Sequence, residues 1–127
     1  MDYFSDINEV ALSGRLTGDA KKVEPENSAP FVVVDIATNV QRKTKDGVEA
    51  RPEYNTVYFG EPHVKMTAQL MKGDKIYVKG KLRNGEYKDK QGVSHKTVKI
   101  AAKDLHILEW RSRDNRAAQQ QDVEKTS

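Results

Sequence analysis

The chain has 127 residues, 36% hydrophobic and 32% charged, with no cysteine and a formal net charge of +3. That length fits one domain of common size, and the lack of cysteine excludes a disulfide framework and a thiolate metal site. No run approaches the roughly 18 apolar residues of a membrane span, and the acidic opening Met1-Asp2-Tyr3-Phe4-Ser5-Asp6 lacks the basic-then-apolar order of a signal peptide; a soluble cytoplasmic protein is expected.

In chain order, Val10-Ala11-Leu12-Ser13-Gly14-Arg15-Leu16 alternates, with Val10, Leu12 and Leu16 on one face, which is the pattern of a half-buried strand. Gly14 inside it predicts a bulge or bend. After the turn-rich segment Pro25 to Pro30, the β-branched run Phe31 to Thr38 reads as a second strand. A polar, basic stretch follows from Asn39 to Glu53, with Asp46-Gly47 as its turn tip. Tyr54 to Gly60 reads as a third strand. Pro62 then opens a helix whose apolar side carries Val64, Ala68 and Met71, with Leu70 beside them and Gly73 in the position of a C-terminal cap. The fourth strand, Lys75 to Arg83, sets Ile76, Val78, Gly80 and Leu82 against Lys75, Tyr77, Lys79, Lys81 and Arg83. A fifth runs from about Val93 to Ile107 and loses its alternation around Ala101-Ala102, where a bulge is expected. Between these two, both Asn84-Gly85 and Asp89-Lys90-Gln91-Gly92 could turn the chain. Beyond Trp110 the residues are polar and have little to bury, so residues 111–127 are expected to form a disordered tail after a domain of residues 1–110. Five strands with a short helix between the third and fourth make an all-β domain, the five-stranded Greek-key barrel of the oligonucleotide/oligosaccharide-binding (OB) type.

Charge is unevenly spread. Residues 1–41 hold three bases and seven acids, a balance of −4, whereas residues 72–103 hold ten bases and three acids, a balance of +7. Clustered positive charge is the footprint of a polyanion binder, although a solvated sheet face reads the same way. Single-strand binders combine such a groove with flat rings on which bases stack. The rings available are Tyr54, Tyr58, Phe59, Tyr77 and Tyr87, interleaved with Lys79, Lys81, Arg83 and Lys88. Alternation with Val57 places Phe59 inward, and Tyr87, between Glu86 and Lys88, outward. Catalytic readings find little support: His63, His95 and His106 are scattered, and there is no phosphate-binding glycine loop or nucleophile elbow. Asp104 and His106 share a strand face, but two such groups do not make a site. No metal or cofactor is expected.

From Asn8 to Leu108 the chain resembles the bacterial single-stranded DNA-binding proteins. The likeness rests on Asn8 to Leu16, Ile36-Ala37-Thr38, Glu53-Tyr54 leading to Phe59-Gly60, and above all Lys72 to Arg83. It implies an OB barrel that wraps single-stranded DNA as a homo-oligomer, a tetramer or else a dimer, and associates with the nucleoid in replication, recombination or repair. It implies base stacking by Tyr54, Phe59 and Tyr87, against the alternation argument for Phe59, and it places the hairpin turn at Asp89 to Gly92. The tryptophan typical after the second strand is replaced by Gln41 and Arg42; the Arg42 guanidinium can stack and pair with phosphate. The typical acidic C-terminal tip is not matched by Asp122-Val123-Glu124-Lys125-Thr126-Ser127, so partner recruitment by that route is not expected. The missing tryptophan also motivates an alternative, a protein-interaction OB module of the primosome-accessory type.

Overall fold

The computed structural model describes residues 6–110; the expected tail at residues 111–127 and its tip lie outside the described residues. Six strands and one helical turn follow in order: β1 (Val10–Leu16), β2 (Lys21–Val23), β3 (Phe31–Thr44), β4 (Gly47–Phe59), α1 (Val64–Thr67), β5 (Lys75–Lys88) and β6 (Ser94–Glu109). The strands pair in the order β1-β5-β6-β4-β3-β2, and an additional β1–β3 pairing closes five of them into the expected OB barrel. β2 rides on the outside of β3 and was not expected. Lys21-Lys22-Val23 is too short and too polar to show a period.

Closure needs two unusual junctions. β4 and β6 run parallel, with Val57 beside Ile100 and Tyr58 beside Ala101. β1 crosses to β3 through Arg15–Ala37 and Leu16–Ile36. A Cβ on Gly14 would stand 2.4 Å from the Ala37 carbonyl oxygen, and one on Gly80 would stand 2.1 Å from that of Ala101. Both are closer than any side chain tolerates, so these glycines let backbones approach where strands cross. The expected bulge in β6 occurs one residue later than Ala101-Ala102. Lys79 faces Asp104 and Gly80 faces Ala102, which leaves Lys103 as the extra residue.

Inward residues of every ring strand meet in one core: Leu16, Val32, Val34, Ile36, Val57, Phe59, Ile76, Val78 and Ile100, capped from below by Val64 and Leu70. The helix is shorter than expected, one turn preceded by a cis Glu61–Pro62 bond, so Pro62 sits in a turn and not in the first helical turn. The loop after it is tied by Asp74, whose buried carboxylate accepts the Met71 amide at 2.8 Å while its own carbonyl accepts from Leu16.

Two strand pairs are longer than their apolar patterns. The polar stretch from Asn39 to Glu53 is a continuation of β3 and β4, paired without a break to Thr44–Gly47. A two-residue turn before Gly47 (φ 127°) lets both strands continue as a free ribbon. β5 and β6 likewise extend to Lys88–Ser94. Their turn is Asp89 to Gly92, closed by Gly92 N–H on the Asp89 carbonyl with Gly92 at φ 81°, while Asn84-Gly85 stays in the strand.

Candidate nucleic-acid interface

Because side chains alternate, register decides which residues share the barrel's outer face. One cross-strand row runs through five strands. Lys81 on β5 faces Ala101 on β6, Ala101 lies beside Tyr58 on β4, Tyr58 faces Val33 on β3, and Val33 faces Lys21 on β2. A step along, Arg83 faces Lys99 and Val23 faces Phe31. The centre of this surface is a packed group. Phe31 and Tyr58 have ring centroids 5.6 Å apart, and the Lys99 ammonium lies 4.3 Å from the Tyr58 centroid. A cation over a ring at such a distance contributes roughly 0.5–1 kcal/mol at an exposed site. Beside it, Thr56 donates a 2.6 Å hydrogen bond to Asp35, the acid on this face.

Two ribbons extend the surface. On the β3–β4 ribbon, Tyr54 faces Ala37 and is 66% exposed, with Pro52, Ala50 and Val48 continuing its face toward the tip. On the β5–β6 ribbon, Tyr87 is 54% exposed and lies against His95, ring centroids 5.1 Å apart and 21° from parallel. Arg83 shares the Tyr87 face, since the two are separated by an even number of residues in an unbroken register. A side chain on Gly85 between them would meet the Thr97 hydroxyl at 2.8 Å, so glycine keeps that strip of the face open.

Other expected residues fall elsewhere. Phe59 is 0% exposed and packs in the core beside Val57, which corrects the stacking role the resemblance implied. The reason is parity: residues 57 and 59 point inward, so the outward ring at the end of β4 is Tyr58. Burying a phenylalanine stabilises the barrel by about 1.5–3 kcal/mol relative to exposing it. Arg42 faces Glu49 and shares a face with Arg51, whose guanidinium meets Glu49 at 3.9 Å; that is the reverse of the ribbon from Tyr54. Lys88 faces Ser94 on the reverse of Tyr87. Tyr77 and Lys79 point outward, but their neighbours are His106 and Asp104 beyond the bulge and Ser13 and Ala11 on β1. Phe31 and Lys99 were missed. Neither stands near Tyr58 in sequence, and only the pairing of β3, β4 and β6 joins them.

The surface can therefore offer flat apolar area at three stations, Tyr54, Tyr58 with Phe31, and Tyr87 with His95, and cations from Lys81, Arg83, Lys99 and Lys21 between them. Residues 7–108 match the single-strand binding protein family. Single-stranded DNA-binding protein 1 of Xylella fastidiosa is 31% identical over 113 residues, covering 87% of this chain and 83% of that protein. The mitochondrial single-stranded DNA-binding protein of Danio rerio is 28% identical, covering 85% of this chain and 80% of that one. Among solved structures, the Plasmodium falciparum SSB in complex with ssDNA superimposes with a TM-score of 0.74 at 16% identity, over 86% of this chain and 100% of that one, which is a likeness of fold. With a family match over most of its length and relatives of this coverage, the chain belongs to the single-strand binding protein family.

Proposed function

We propose that this protein binds single-stranded DNA without sequence preference, laying the strand over the outer face that joins Tyr54, Tyr58 and Tyr87. The observation that carries the reading is the cross-strand row itself: it sets Tyr58 between Lys81 and Lys21 on one continuous surface, with Arg83, Lys99 and Phe31 a step along. Stacking on a ring contributes about 1–3 kcal/mol per base and accepts any base, because every base has a π-face. Lysine and arginine neutralise phosphate and release counterions. Protection of exposed strands in replication, recombination or repair follows as the cellular use. Tyr77 and Lys79, set apart beside β1, extend the path or serve contacts between subunits. Self-assembly, as a tetramer or a dimer, is part of the proposal, supported by apolar side chains left exposed on the ribbons, Val48 and Val98, and by Leu82 on the barrel wall.

A fluorescence titration with mixed-sequence and oligo-dT strands tests this directly. Nearly equal affinities, weak duplex binding and a steep loss with salt are expected. Preference for duplex, or indifference to salt, overturns the reading, and failure to bind oligo-dT at submicromolar concentration favours the protein-interaction alternative. Light scattering with and without the oligomer reports the subunit number.

A further inference from the structure

Between the two outward tyrosines of β4 stands a polar pair that neither stacking nor phosphate binding uses. Register sets Asp35 opposite Thr56, with Val33–Tyr58 as the next outward pair on one side and Ala37–Tyr54 as the next on the other. The Thr56 hydroxyl donates to one Asp35 carboxylate oxygen at 2.6 Å, and the Asp35 carbonyl accepts from the Thr17 amide at 2.9 Å. The side chain is thus oriented from β4 while its backbone is fastened to the residue that follows β1. Asp35 is nevertheless exposed, and among the described residues no ion pair neutralises it. A lone carboxylate therefore lies on the line that joins two stacking stations.

Such a group repels phosphate, so a strand crossing from Tyr58 to Tyr54 turns its backbone away here and presents a base edge. The two tyrosines are four residues apart, about 13 Å along the strand, which leaves room for one base between those that stack on the rings. A carboxylate only accepts hydrogen bonds, and accepting from Thr56 leaves that oxygen a second lone pair. Thymine offers it one imino N–H set between two carbonyls, and cytosine and adenine each offer an amine beside an acceptor nitrogen. Guanine alone offers an imino N–H and an amine side by side, the spacing that two carboxylate oxygens match. Resting on Tyr54 and Tyr58 as stacking stations, we propose that Asp35 is a specificity-determining residue, which accepts the N1–H and N2–H of a guanine laid between the two rings. Thr56 is its positioning residue. The surface on either side takes any base, so the outcome is a local tilt toward guanine and not a requirement for it.

The test compares strands that differ in one exocyclic amine. Alternating dG/dT and alternating deoxyinosine/dT oligomers of equal length differ only in the guanine N2 amine, and oligo-dT serves as the third strand. Anisotropy of labelled strands at fixed ionic strength reads each affinity, with thermal melts confirming the fold of each variant. The wild type is expected to bind the dG/dT strand roughly two- to fivefold tighter than the inosine strand, the size of one net hydrogen bond at an exposed site. Asp35→Ala brings that ratio to one and tightens oligo-dT binding, because a repelling charge is gone. Asp35→Asn, which keeps the shape but exchanges one acceptor for a donor, lowers the ratio, and Thr56→Val lowers it in part. A wild-type ratio of one, or an Asp35→Ala protein that changes on both strands alike and keeps the wild-type ratio, overturns the guanine contact while leaving the stacking reading intact. Tyr54→Ala and Tyr58→Ala with unchanged affinity for all three strands instead remove the stations on which the inference rests.

Discussion

The two ribbons that leave the barrel are built alike and equipped differently. Each is an antiparallel pair continuing past the core to a tight turn, and each carries one outward tyrosine. On the β3–β4 ribbon Tyr54 faces Ala37 and is flanked by small or non-aromatic side chains, and Arg42, five pairs further toward the tip, is turned to the reverse side with Glu49. On the β5–β6 ribbon Tyr87 is backed by His95, His95 by Asp89, and Arg83 lies on the same face. One ring is free on its face; the other is braced. A braced ring loses less conformational freedom when a base stacks on it, whereas a free ring can follow a moving strand. Between them, Tyr58 with Phe31 and Lys99 is the most constrained station of all, since it sits on the closed wall of the barrel.

The largest expected effect separates wall from core. Phe59→Ala removes a fully buried ring and costs about 3–5 kcal/mol of stability, read as a fall in melting temperature or urea midpoint, with little change in affinity per folded molecule. Unaltered stability together with lost binding would return Phe59 to the surface and reverse the parity on which the site is drawn. Tyr58→Ala leaves the core intact and is expected to weaken oligo-dT binding by about 1–3 kcal/mol, measured by fluorescence anisotropy of a labelled strand. Tyr54→Ala and Tyr87→Ala fall in the lower part of the same range. Their order sharpens the comparison: a greater loss at Tyr87 supports bracing as the source of affinity, and a greater loss at Tyr54 opposes it.

Smaller still, Arg83→Ala is expected to reduce the slope of log affinity against log salt by about 0.7, one phosphate contact to a single strand, whereas Arg42→Ala leaves the slope unchanged. Equal slopes in the two variants would erase the assigned difference between the ribbon faces. The smallest effect concerns the brace. The hydrogen bond with His95 first, then the backbone amides of the turn, hold the folded-state carboxyl of Asp89 below the usual carboxylate range, so its contribution to stability is present above the unfolded pKa and disappears as pH falls through the folded one. Asp89→Asn therefore lowers the melting temperature at neutral pH and not in strong acid, a convergence that a pH series of thermal melts detects.

The strands were legible because burial on one face writes a period of two into the residues. β1 has the bounds its pattern indicates, and β5 alternates cleanly from Lys75 to Arg83. The same alternation placed Phe59 inward, and family likeness alone placed it outward. Tyr54 and Phe59 stand five positions apart, an odd interval that sends them to opposite faces of β4, so position in a motif could not decide what parity did. Where burial is absent the signal fails: the ribbons from Asn39 to Glu53 and beyond Arg83 are wet on both sides, so their residues carry no period and read as loop.

What the amino-acid order determined alone is which residues are apolar, which are charged and at what interval, and from these the barrel, its basic second half and its outward tyrosines follow. What only the folded chain decided is which of them meet. The parallel β4–β6 seam and the closure of β1 on β3 depend on pairings between distant segments, and a long-range register leaves no mark on neighbouring residues. Phe31, Tyr58 and Lys99 became one station, and Arg42 and Tyr54 two separate faces, because hydrogen-bonded register, not proximity along the chain, sets the side on which each points.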